Sequence, residues 1–146
     1  LNSEVVAFFW INKFRDDRET FPKIKGSYLG YLPIKKSNNQ IDTLVRYVEC
    51  LSGNSNSDIV KSFFILLINS LIYELYFPVE IKSAGKEIMK HLGNLKPIND
   101  DMREEEKLAI IQNEFERLHD PNHLVRFAVE TLDSVEEVRI IKEALK

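Results

Sequence analysis

The run Ile59–Phe77, IVKSFFILLINSLIYELYF, is the most apolar stretch of the chain, and Pro78 ends it. Six consecutive apolar residues, Phe63 to Ile68, are followed by Asn69 and Ser70 before the apolar sequence resumes. A helix that is apolar on nearly every side has to be covered on nearly every side. The run therefore predicts a central helix around which the rest of the chain packs.

Composition and charge limit the class of protein. The chain has 146 residues, of which 44% are hydrophobic and 29% charged, as in an ordinary folded domain. Its formal net charge of −3 argues against coating nucleic acid by bulk charge. The charge is uneven: residues 1–36 carry seven Lys/Arg and four Asp/Glu (+3), and residues 37–146 carry thirteen and nineteen (−6). A polyanion is therefore expected at the N-terminal segment, if anywhere.

Apolar spacing predicts several helices around the central one. Their approximate bounds are 4–14, 41–51, 79–92, 102–119 and 121–132, with a last short helix after residue 134. The expected N-caps are Ser3, Asn38 or Asn39, Ser57 or Asp58, Asp100 or Asp101, Asp120 before Pro121, and Ser134 in a capping box with Glu137. Gly93 is an expected helix stop.

The N-terminal part differs from the rest. Residues 21–34, FPKIKGSYLGYLPI, hold two Gly and two Pro among loosely alternating apolar residues, which favours short extended segments and turns. We therefore predict a mostly α fold: a helical bundle over 37–146, with a short extended, turn-rich segment near the N-terminus. Residues 1–36 and 37–146 are expected to be separate units.

Cellular context is inferred from absences in the sequence. Cys50 is the only cysteine, which suits a reducing cytoplasm, and we expect it to be a partly buried apolar residue. No secretory signal opens the chain. The apolar run at 62–77 is shorter than the roughly 20 residues of a membrane span and contains Glu74, so no membrane partner is expected. The chain begins at Leu1 in sequence typical of a helix interior, which favours a fragment of a longer protein.

Two charged or imidazole patterns could in principle bind metal. His119 and His123, in HDPNH, are four residues apart, but a helix junction at Asp120–Pro121 should place them on either side of a turn. Asp58 with Glu80 and Lys82 matches a D…E-x-K nuclease pattern, yet the E-x-K follows a proline and opens a helix instead of lying on a strand. We expect neither pattern to form a metal site.

Basic residues interleave with aromatic residues before the helical bundle. Flexible cations in such a loop can neutralise phosphates, and the loop can carry other groups to base edges. The candidate DNA-binding residues are Arg15, Arg18, Lys23, Lys25, Lys35 and Lys36.

Two segments carry a family resemblance. Residues 21–34 resemble the closing motif of the TaqI-like C-terminal specificity domain, with matches at Phe21, Pro22, Ile24, Lys25, Leu32, Pro33 and Ile34. The run INSLIYELYFPVEIK (68–82), followed by AGKEIMKHL, is similar to the helical tail of type II restriction-modification enzymes fused to an adenine methyltransferase. Residues 120–123 and 135–141 are similar to later parts of that tail.

The resemblance implies a non-catalytic C-terminal piece of such an enzyme, contributing to DNA target recognition or supporting the specificity domain. In this piece, residues 1–36 would be the tail end of a DNA target-recognition domain and residues 37–146 a C-terminal helical bundle. The Asn-Pro-Pro-Tyr type methyltransferase motif and the S-adenosylmethionine loop are absent from this sequence. Accordingly, no cofactor is expected in this piece, whereas S-adenosylmethionine and Mg²⁺ are expected for the parent enzyme. The implied partners are double-stranded DNA, through the parent enzyme, and its missing N-terminal domains, through intramolecular packing.

One alternative stays open. The one-sided apolar stripe of the helix at 41–51 could pair with another chain as well as with its own core. The chain would then be a helical protein-interaction or dimerisation module without direct nucleic-acid contact.

Overall fold

The computed structural model describes residues 3–14, 35–53 and 57–146, and within these ranges the fold is helical, without strands. The eight α-helices of the described ranges are α1 (Glu4–Phe14), α2 (Asn39–Leu51), α3 (Asp58–Tyr76), α4 (Pro78–Ser83), α5 (Met89–Leu92), α6 (Glu104–Leu118), α7 (Leu124–Glu130) and α8 (Glu136–Ala144). A short 3-10 turn, Leu132–Ser134, connects α7 to α8. The predicted mostly α fold is confirmed. The predicted extended segment at 21–34 lies outside the described residues, and the division at residue 36 stays a prediction.

The central helix α3 is buried along one face only. Its fully or nearly fully buried residues are Phe63, Phe64, Leu67, Ser70, Leu71 and Tyr73. By contrast, Ile59 is 76% exposed, Ile65 42% and Leu66 38%. The prediction that α3 is covered on nearly every side is therefore wrong, because its neighbours pack on one face and leave apolar residues of the other in contact with solvent.

The main hydrophobic core lies between α3 and the helices α2, α6 and α7. The Tyr47 ring of α2 meets the Phe64 ring of α3 edge-on, with centroids 5.4 Å apart. Leu44, Leu67 and Leu118 are fully buried in the same core. Only six residues separate α2 from α3, a spacing that favours antiparallel neighbours, and the two helices pack against each other.

A second, smaller core joins both ends of the described chain to the C-terminal half of α3. It contains Val5 of α1, Tyr73 of α3, Ile81 of α4, and Val138 and Ile141 of α8. Helices α1 and α8 contact each other here, although more than a hundred residues separate them. The first helix is thereby packed against the same central helix as the rest of the bundle.

The helix expected over 79–92 is interrupted, which corrects the prediction. Helix α4 ends at Ser83, and Gly85 follows with a φ of +69°, a conformation that L side chains rarely adopt. The Glu74 carboxylate then accepts the backbone N–H groups of Ile88 (2.9 Å) and Met89 (3.1 Å), where α5 begins. Glu74 on α3 thus helps to start a new helix, α5, at a position where apolar spacing predicted the interior of one helix over 79–92.

The predicted helix caps are confirmed in part. Ser3 Oγ accepts the N–H of Val6 at 3.2 Å, Asn38 Oδ1 accepts the N–H of Ile41 at 2.9 Å, and Gly93 ends α5 with a φ of +70°. Ser57 occupies the predicted N-cap position of α3, although without a side-chain bond, and the other predicted caps are wrong. The N-cap positions Ser57, Arg103 and Val135 make no side-chain capping bond, and α7 is capped by His123 rather than Asp120.

The expected inward faces of the outer helices are also only partly right. Several apolar residues of the outer helices are substantially exposed, namely Val45 (38%), Val79 (69%), Leu124 (54%), Phe127 (54%) and Ile140 (48%). Among the described residues, α3 alone is long and apolar enough to cross a membrane by length and composition, and a third (33%) of its apolar window is buried. The absence of a membrane partner stays a prediction.

Candidate functional site

Two of the six candidate DNA-binding residues fall in the described part of the chain. Lys35 and Lys36 are both exposed, immediately before α2. Arg15, Arg18, Lys23 and Lys25 lie outside the described residues. Contact of these six cations with DNA therefore stays a prediction.

Lys35 is attached to the C-terminal end of α3. Its backbone N–H donates to the Tyr76 hydroxyl at 3.3 Å, and its Nζ lies 5.6 Å from the centroid of the Tyr76 ring. A cation over an aromatic face contributes about 0.5–1 kcal/mol at an exposed site. These contacts fasten the end of the basic segment to the helical bundle.

Beside Lys35 an apolar groove of about 530 Å³ opens between α2 and α3, with α1 at one end. Its described lining residues are Ser3, Val6, Lys35, Ser37, Ile41, Val45, Val48, Glu49, Ile65, Ile68, Asn69, Ile72, Leu75 and Tyr76. Most of this surface is apolar, and Val45 and Ile65 stand partly exposed on its two sides. A concave apolar surface with few polar groups is typical of a binding site.

The groove has opposite charges at its two ends. Glu49 lies near the C-terminus of α2, at the end where Ile65 lines the groove. Lys35 lies at the other end, beside Tyr76. Asn69 lies between them along α3 and is the polar exception that the sequence showed within the apolar run. The other exception, Glu74, instead binds the backbone at the start of α5.

The sequence did not predict the groove, because α3 was expected to be covered on nearly every side. A signal was nevertheless present. Ile65, Ile68 and Ile72 form a second apolar row at i, i+3, i+7, beside the row that enters the core. A helix with two apolar rows needs more cover than the antiparallel neighbour α2 alone supplies.

The two histidines of HDPNH make separate contacts within the fold. His119 ends α6 and stacks on Phe115, with ring centroids 4.7 Å apart. His123 accepts the N–H of Val125 through Nδ1 at 3.1 Å and so caps α7. The expected placement on either side of a turn is confirmed. In the described ranges, no group of three or more His, Cys, Asp or Glu side chains is close enough together to hold a metal ion.

The nuclease-like residues are far apart. Asp58 opens α3, whereas Glu80 and Lys82 lie on α4, beyond its other end. A helix of this length, 19 residues, spans about 28 Å at a rise of about 1.5 Å per residue. Carboxylates at the two ends of α3 cannot share one divalent cation, so the D…E-x-K pattern arises by chance.

A second cleft, of about 380 Å³, is polar and contains Cys50. Its charged lining residues are Arg46, Glu49, Asp100, Glu104 and Lys107. Burial, followed by the nearby Glu104 carboxylate, raises the pKa of the Cys50 thiol, which favours the protonated form. Cys50 also packs against the main core, as expected from the sequence, and a protonated thiol of this kind is a poor nucleophile.

Comparisons with known proteins give no relative: no family model matches the chain, and neither a curated protein nor a solved structure resembles it significantly. The resemblance to restriction-modification enzymes therefore stays a prediction made from the sequence.

Proposed function

We propose that this chain is a non-catalytic helical module that supports recognition of duplex DNA, with its basic N-terminal segment toward the DNA and its acidic helices behind. The observation that carries the proposal is the attachment of Lys35 to Tyr76 through one hydrogen bond and one cation–π contact. This attachment joins the segment with charge +3 to a bundle with charge −6 at a defined point. The family resemblance of residues 21–34 and 68–82 supports the same role.

Electrostatics favours this orientation. Exposed lysines at the end of the basic segment can neutralise phosphates, and each neutralised phosphate makes DNA binding depend more steeply on salt. The acidic residues of the bundle repel the DNA backbone and so discourage other orientations. The parent enzyme would supply catalysis, S-adenosylmethionine and Mg²⁺.

The proposal is tested with the full chain and a short labelled duplex of mixed sequence. Fluorescence anisotropy at several salt concentrations would compare the protein with a Lys23/Lys25/Lys35/Lys36→Ala variant. We expect weaker binding and a log–log salt slope shallower by roughly 3–4, because each phosphate contact contributes about 0.9.

A matched control removes four exposed cations of the bundle, in a Lys82/Lys96/Arg139/Lys146→Ala variant. This control changes the net charge equally and should retain the original salt slope. If both variants lose DNA affinity equally, or if neither loses any, the N-terminal lysines do not contact the DNA.

The apolar groove favours a second candidate function, a helical protein-interaction module without direct nucleic-acid contact. A groove lined by Val45, Ile65 and Ile72 offers apolar surface that DNA does not use. The same anisotropy measurement separates the candidates, because a pure interaction module leaves the duplex unbound at every salt concentration.

A further inference from the structure

We infer that the groove between α2 and α3 is a self-association surface that pairs two copies of this chain about a twofold axis. This inference deepens the second candidate function and does not depend on DNA binding. It rests on the apolar rim of the groove and on the charges at its two ends.

The rim supplies the apolar contact. Val45 on α2 and Ile65 on α3 are 38% and 42% exposed, on opposite sides of the groove. Both are branched aliphatic side chains that water solvates poorly, and Ile41, Ile68 and Ile72 line the same groove. Covering these side chains with a second apolar surface removes them from water.

The charges select a second copy as the partner. In a twofold interface, residue i of one copy contacts residue j of the other and j contacts i. Antiparallel stacking of the groove on itself places Glu49 of each copy opposite Lys35 of the other. Two opposite-charge pairs then form at the ends of the interface, whereas parallel stacking would bring like charges together.

The size of the face sets the expected strength. Two adjacent helices about 10 Å apart, used over about 20–25 Å of their length, present roughly 400–500 Å² per copy. The total of about 800–1,000 Å² lies below the roughly 1,200–2,000 Å² of stable specific interfaces and within the range of weak, transient ones. The pair should accordingly be a weak dimer, in concentration-dependent exchange with the monomer.

Sedimentation equilibrium of the full chain over a wide concentration range tests the inference. We expect a reversible monomer–dimer equilibrium that the apolar-to-charged variants Val45→Lys and Ile65→Lys shift to monomer. The matched control is Ile140→Lys on α8, which alters a similarly exposed isoleucine (48%) outside the groove and should leave the equilibrium unchanged. Circular dichroism shows whether each variant is folded.

Charge reversal makes the test specific. In either single variant, Glu49→Lys or Lys35→Glu, both charge pairs of the interface become pairs of like charge. The dissociation constant of the dimer should then rise roughly tenfold. The double variant Glu49→Lys/Lys35→Glu restores both pairs with reversed polarity and should recover the original dissociation constant. Non-additive recovery of this kind requires the two residues to meet across the interface.

Three outcomes would overturn the inference. If the protein is a monomer at every concentration, a second copy does not occupy the groove. If Val45→Lys and Ile65→Lys leave a dimer intact, the chains associate through another surface. A monomer that binds phosphatidylcholine vesicles, and loses that binding in Ile65→Lys, assigns the groove to a lipid surface instead.

Discussion

The hydroxyl of Tyr73 donates a hydrogen bond to the carboxylate of Glu4 over 2.5 Å, joining α3 to α1. Tyr73 is 1% exposed, and burial, followed by this bond, raises the pKa of its hydroxyl, which therefore stays protonated and able to donate. The bond crosses 69 positions of sequence. It holds the first helix against the small core that also contains α8.

Removing this hydroxyl should loosen α1. We expect Tyr73→Phe to lower the free energy of unfolding by about 2 kcal/mol, the size of a hydrogen bond to a charged group. Urea denaturation followed by circular dichroism measures the change. Glu4→Gln keeps an acceptor oxygen and should cost less. Equal stability of Tyr73→Phe and the unaltered protein would contradict the assigned bond.

Glu74 should be one of the most sensitive polar residues of α3. Its carboxylate accepts two backbone N–H groups, those of Ile88 and Met89. Glu74→Ala leaves both donors without this partner and should destabilise the protein by about 2–3 kcal/mol. Glu74→Gln keeps one acceptor oxygen without the charge. In a urea titration, its free energy of unfolding should lie between those of Glu74→Ala and the unaltered protein. A neutral effect of Glu74→Ala would contradict the role of this carboxylate in starting α5.

His123 should make stability depend on pH. Burial, and then the Arg117 guanidinium, lower the pKa of His123, and its neutral Nδ1 caps α7. The pKa of His123 in the folded state lies below its ordinary value of about 6.5. The stability that the neutral His123 cap contributes is therefore fully present above that pH, and it is lost as the pH falls through the folded-state pKa. The loss should amount to at most about 1 kcal/mol, the size of a helix cap.

His123→Asn provides the comparison, because asparagine caps helices without titrating in this range. Thermal unfolding of both proteins should be measured between pH 5 and 8. The stability of the unaltered protein should fall relative to His123→Asn as the pH is lowered. Parallel pH profiles would show that His123 does not contribute as a neutral cap.

Two adjacent residues of α3 should differ strongly in how much a substitution destabilises the protein. Phe64 is fully buried against Tyr47, and Phe64→Ala should cost about 3–5 kcal/mol because it leaves a cavity in the main core. Ile65 borders the groove, and Ile65→Ser should change the free energy of unfolding of the monomer by less than about 1 kcal/mol. Measurements at low protein concentration isolate the monomer. Comparable losses at the two positions would show that the groove is closed in solution.

Local chemistry explains which parts of the fold were predictable. Asn38 caps α2 and Gly93 ends α5, as predicted. Both could be predicted because helix caps and stops depend on only a few consecutive residues. Helix type also followed from apolar spacing, as in α2 and α6. The break between α4 and α5 could not be predicted in this way. The Glu74 carboxylate that binds the start of α5 lies on α3, 14 residues before Ile88.

The sequence by itself determined a mostly helical chain, its central apolar helix and the uneven distribution of its charge. Only the tertiary structure decided which side of that helix is covered. Phe64 and Ile65 are equally apolar in the sequence, yet one is fully buried and the other 42% exposed. The physical reason is that periodicity records how apolar each face is, whereas burial depends on how many neighbours reach that face. The apolar row that α2 leaves partly uncovered forms the groove, and Lys35 and Glu49 mark its ends.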